Sequence, residues 1–75
     1  MILDIAPQTE QMAALAEFRA LLVESCEHEG EVGNIVRISH MIGERPDQDE
    51  RQHVVEHTER LLQIVTRMRA LADQI

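Results

Sequence analysis

Aromatic residues are almost missing from this chain. It has no Trp, no Tyr and a single Phe, Phe18, so a core built on large rings is excluded. Cysteine is nearly missing too. Cys26 stands alone, which rules out an intrachain disulfide, and no CxxC or Cys/His spacing marks a structural zinc. Lysine is absent: the 7 basic residues are all Arg, against 14 Asp and Glu, for a formal charge of −7. A chain with no basic cluster and no aromatic interleaving lacks the positive footprint that nucleic acid or an anionic membrane surface requires. Long apolar runs are lacking as well, so nothing in the sequence spans a bilayer. The opening Met1-Ile2-Leu3-Asp4 does not read as a secretory signal, and with a lone thiol a reducing cytoplasm is the expected setting. The Arg-only, Leu- and Ala-rich usage fits a GC-rich bacterial or phage gene.

What is present is apolar aliphatic side chain, and a good deal of it. Hydrophobic residues make up 44% of 75 residues, one domain over 1–75 near the lower limit for independent folding. A single core of that size supplies only about 3–5 kcal/mol, and small domains without staples commonly complete themselves by oligomerising. A second copy of the chain, and another protein beyond it, are the expected partners.

The periodicity is helical almost throughout. A first helix can start near Asp4 or Thr9, both good N-caps, with Pro7 suited to a first turn. Leu15, Phe18, Leu22 and Cys26 then recur at steps of three and four, and Val32, Val36 and Ser39 continue the pattern. Gly30 and Gly33 each cost a helix about 1 kcal/mol relative to Ala and admit a kink or break near 30–33, but the spacing carries through to about Ile42. Gly43 suits the left-handed residue after a helix, and Pro46 blocks its continuation. Asp47 with Glu50 three residues on is a capping-box start for a last helix over about 48–74. That helix has the clearest pattern. Val54, Leu61, Met68 and Ile75 are spaced by seven, and His57, Ile64 and Leu71 lie three residues after the first three, which makes a heptad seam. The expected fold is all-α: an antiparallel helical hairpin, dimerising into a four-helix bundle. Val54, His57, Leu61, Ile64, Met68 and Leu71 are the candidate dimer and groove residues.

Charge supports the hairpin. Glu10, Glu17, Glu24 and Glu31 form a stripe of period seven on the first helix, and Arg60 and Arg67 form one on the last. A tight symmetrical turn near residue 45 sets Glu31 against Arg60 and Glu24 against Arg67. It also brings Leu22 near Met68 and Val36 near Val55.

Candidate chemistry is thin. His53-Val54-Val55-Glu56-His57 matches the HxxEH pattern of inverted zinc peptidases, yet only eighteen residues follow His57, too few for the further ligand and cleft such an enzyme needs. His40, Glu44, Glu50, His53 and His57 could gather at the turn end as a looser metal site. Cys26 is surrounded by Glu24, Glu27 and Glu29, which oppose a thiolate, and no phosphate loop or catalytic triad is present. The acidic residues Glu24, Glu27, Glu29, Glu31, Asp47, Asp49 and Glu50 could imitate a phosphate backbone. The reading that follows is a non-enzymatic, cofactor-free protein–protein interaction module: a homodimeric regulator, adaptor or inhibitor. A metal-binding protein using His40, His53 and His57 and an acidic nucleic-acid mimic are its alternatives.

Overall fold

The computed structural model describes residues 5–75. Two helices, α1 (Ile5–Ile42) and α2 (Gln48–Ala72), lie antiparallel and form a hairpin. The result is a rod, 64 × 17 × 15 Å. The candidate cap Asp4 lies outside the described residues, and α1 is already helical upstream of Thr9.

α1 runs without a break through Gly30 and Gly33. Both glycines sit on its outer side, with open space where a Cβ would be, so they weaken helix propensity but no packing. The inner side stays intact past them through Val32 and Ile35, and tertiary packing of that side outweighs propensity. α1 ends as expected. Gly43 has φ +71°, and the Glu44 amide donates to the Ser39 carbonyl at 3.1 Å, the long-range bond of a Schellman cap. α2 opens on a complete capping box. Asp47 accepts from the Glu50 amide at 2.8 Å, and Glu50 accepts from the Asp47 amide at 3.0 Å.

The two inner faces interlock as heptad seams. On α1 the inner side is Ala14, Phe18, Leu21, Ser25, His28, Val32, Ile35 and Ser39, in alternating steps of four and three. On α2 it is Glu50, Val54, His57, Leu61, Ile64, Met68 and Leu71. The α2 seam is the one read from the sequence. On α1 the expected Phe18, Val32 and Ser39 lie in the seam, but at the other levels the residue before faces inward, Ala14, Leu21, Ser25 and Ile35, and Leu15, Leu22, Cys26 and Val36 are exposed. One residue is a rotation of about 100°. Such a rotation would swing Glu17 and Glu24 away from the arginines of α2, which hold them here.

The vertical register also differs, by one heptad. Arg60 meets Glu24 rather than Glu31, and Arg67 meets Glu17 rather than Glu24. Leu22 and Val36 do not enter the seam, and Val55 is exposed as well. The turn is not symmetrical. Residues 44–47 are non-helical, and an extended residue advances about 3.3 Å against 1.5 Å in a helix. This segment carries the chain back beside the last turns of α1 before α2 begins, so the end of α1 projects past α2.

Candidate functional site

The hairpin has two unlike flanks. On one, the Glu and Arg stripes meet. Glu24 takes a fork of two bonds from Arg60, with Nη2 at 2.8 Å. Glu17 takes the same fork from Arg67, at 2.6 and 2.8 Å. The same heptad step sets Glu31 level with His53 and Glu10 level with Gln74. The Arg60 fork, with a further bond from His28, holds the Glu24 carboxyl down to about 2. The Arg67 fork likewise lowers Glu17, and both guanidiniums are raised in turn by their carboxylates.

The opposite flank is apolar and open. Met12, Leu15, Leu22 and Val36 of α1 stand there beside Val55, Leu62 and Val65 of α2, and all of them are exposed. A shallow groove on this side is lined by Phe18, Val65, Met68, Arg69 and Ala72. A smaller apolar cluster, Ile38, Met41 and Ile42, is exposed at the tip where α1 outruns α2.

Between the flanks runs a thin core. Among the described residues only Ala14, Ile64 and Leu71 are buried. The six residues expected at a dimer or groove face, Val54, His57, Leu61, Ile64, Met68 and Leu71, lie on the side of α2 that α1 covers. In the single chain they form the inner seam of the hairpin, and the exposed apolar surface is the neighbouring stripe.

One layer of the seam is polar. His28 and His57 face each other across it, Nδ1 to Nδ1 at 2.6 Å, with ring centroids 4.9 Å apart. His28 Nε2 lies 2.9 Å from Glu24 Oε2, so a chain of contacts runs Arg60–Glu24–His28–His57. This layer explains the register. A slip of one heptad would restore a Glu for each arginine, but it would set His28 against Ile64 and His57 against Ile35. Each imidazole would then lose its polar partner, and a buried polar group without one is costly. A polar residue in a heptad seam fixes register in this way.

The expected metal set does not converge. His40, Glu44 and His53 are exposed, Glu50 is occupied in the capping box, and His57 turns to His28. His53 lies 3.9 Å from Glu56 on its own helix. The asymmetric turn puts His40 and His53 at different heights. No group of three His, Cys, Asp or Glu among the described residues is placed to hold a metal ion. The acidic residues do not make one face either: Glu27 and Glu29 point about 200° apart around α1, Glu24 is neutralised by Arg60, and Asp47 caps α2. Cys26 is exposed. His28 escaped the sequence reading, although it shares a seven-residue step with Leu21 and Ile35, which was the available signal.

No described helix is long and apolar enough to cross a membrane. Comparison with protein-family models, curated proteins and solved structures gives no match.

Proposed function

We propose that this chain is a non-enzymatic protein–protein interaction module that pairs with a second copy through its apolar flank, making a four-helix bundle that acts on a partner protein as a regulator, adaptor or inhibitor. The exposed stripe of Leu15, Leu22, Val36, Val55, Leu62 and Val65 is the observation that carries this reading. Area supports it. The accessible surface is 6078 Å², whereas a compact monomer of 8.6 kDa would expose roughly 4,700 Å². The excess, on the order of 1,400 Å², is larger than the roughly 800 Å² per partner that a standard stable interface covers. A second copy brings the matching stripe and needs no new chemistry. Its pairing leaves the ionic flanks in water, where Arg and Glu are well hydrated, and converts two thin seams into one core. The tip cluster of Ile38, Met41 and Ile42 stays outside that core.

Light scattering tests the pairing. The expected mass is twice 8.6 kDa at micromolar concentration, with a melting temperature that rises as the chain is concentrated. Leu22→Asp combined with Val65→Asp should abolish the dimer, while Glu10→Gln leaves it intact. A wild-type chain that stays monomeric and folded at every concentration would sink the proposal.

A further inference from the structure

The polar layer at the middle of the seam is the feature that an interaction hairpin does not need. Two apolar residues would pack there at least as well. Its proton inventory is tightly limited. Glu24 is ionised and held by Arg60, so it can only accept, and the proton in its contact with His28 sits on His28 Nε2. Between the two Nδ1 atoms, 2.6 Å apart, there is room for one proton. It resides on His57 with His28 accepting, or on His28 with His57 accepting. The pair therefore holds together with neither imidazole charged, or with one. A second cation would set two N–H groups head to head and two positive charges in contact, in a seam where His28 is only 20% exposed.

We propose that His28 and His57 form a one-proton lock that closes the hairpin at neutral pH and releases it when both imidazoles are protonated. This inference concerns the fold of the single chain and does not rest on dimer formation. The charged groups that face the pair are Glu24 from α1 and Arg60 from α2, already paired with each other. One turn nearer the loop, Glu31 of α1 and His53 of α2 flank it without a contact to either ring among those described. Unperturbed imidazoles gain protons around pH ~6.5, well above the carboxylates. The stabilising contact is thus present at neutral pH, survives the first proton and is lost with the second as pH falls. A shared transition metal fits less well. Two nitrogens bound about 2.0–2.1 Å from one tetrahedral ion stand more than 3 Å apart, and among the described residues no third ligand converges on the pair.

The test is thermal unfolding of the full chain at fixed concentration between pH 7.5 and 5.5. The wild type should lose about 4–8 °C, the shift that loss of one modest interaction produces in a domain of this size. The double variant His28→Leu, His57→Leu and the single variant His57→Gln, which cannot take the second proton, should both show a nearly flat profile. His40 and His53 remain in every variant and cancel. Nitrogen-15 imidazole spectra at pH 7.5 give a second readout that needs no variant to fold. His28 should show the Nε2–H tautomer with Nδ1 accepting a hydrogen bond. Parallel pH profiles for wild type and His57→Gln, or imidazole signals for His28 and His57 that match those of His40 and His53, would overturn the lock. So would a rise in melting temperature on adding Zn²⁺ that requires both histidines, since it would make the pair a metal site instead.

Discussion

The ionic flank and the apolar flank are built on the same two helices, one step of the helical wheel to either side of the same seam. They do opposite things. On the ionic flank every long side chain that matters has found its partner within the chain: Arg60 with Glu24, Arg67 with Glu17. On the apolar flank no side chain has, and Leu15, Leu22 and Val65 remain between 42% and 49% exposed. Ion pairs at the surface contribute little net stability because water competes for both charges, whereas apolar area gains free energy only when it is covered. The flank that is satisfied therefore sets which helices meet and how, and the flank that is unsatisfied holds most of the free energy still to be gained.

The sharpest way to separate the seam from its apolar neighbour is to truncate adjacent residues. Ile64 is fully buried and Val65 is 49% exposed. Ile64→Ala should lower stability by about 2–5 kcal/mol, read by denaturant unfolding at low concentration. Val65→Ala should change the unfolding of the single chain by no more than about 0.5 kcal/mol, yet weaken pairing as seen by light scattering. If the two variants behaved alike, the division into a closed seam and an open flank would be wrong. A smaller effect comes from the ionic flank in acid. Glu24 is depressed from the usual carboxylate range to about 2, so its contribution is complete above pH ~4.5 and is lost as pH falls from there toward 2. Glu24→Gln should remove that limb of the acid-unfolding curve. Smallest is the response to salt at neutral pH. About 1 M NaCl should weaken the Glu17–Arg67 and Glu24–Arg60 pairs by screening while leaving the mass in solution unchanged, because the apolar flank carries no comparable ion pairs.

Much of the architecture was legible in the sequence, and the reasons are local. Gly43, Pro46 and the Asp47/Glu50 box mark the turn through chemistry that acts over three or four residues, and the structure places each in that role. The α2 seam was legible because Val54, Leu61 and Met68 stay apolar at every step of seven, whereas the stripe one residue on, Val55, Leu62 and Arg69, ends in a charge. α1 was harder. Ala14 stands beside Leu15, Leu21 beside Leu22 and Ile35 beside Val36, so two apolar stripes compete, and the inner one carries Ser25, His28 and Ser39. Composition favours the wrong stripe. What decides is the partner helix, since only one rotation of α1 presents its glutamates to Arg60 and Arg67. The height of one helix against the other was not legible from charge at all. Stripes of period seven match equally well after a slip of seven, and only the unrepeated pair His28 and His57 distinguishes the alternatives. The candidate metal residues failed for the same reason: their convergence assumed the height that the asymmetric turn does not give.

That repetition has a mechanical consequence. The two charged stripes act as a rack whose teeth are one heptad apart, roughly 10 Å along the axis at 1.5 Å per residue, and a rack alone has several resting positions. The histidine layer is the detent that selects one of them. With leucines in its place the hairpin would keep its helices and its ion pairs, and it would gain freedom to ratchet by one tooth.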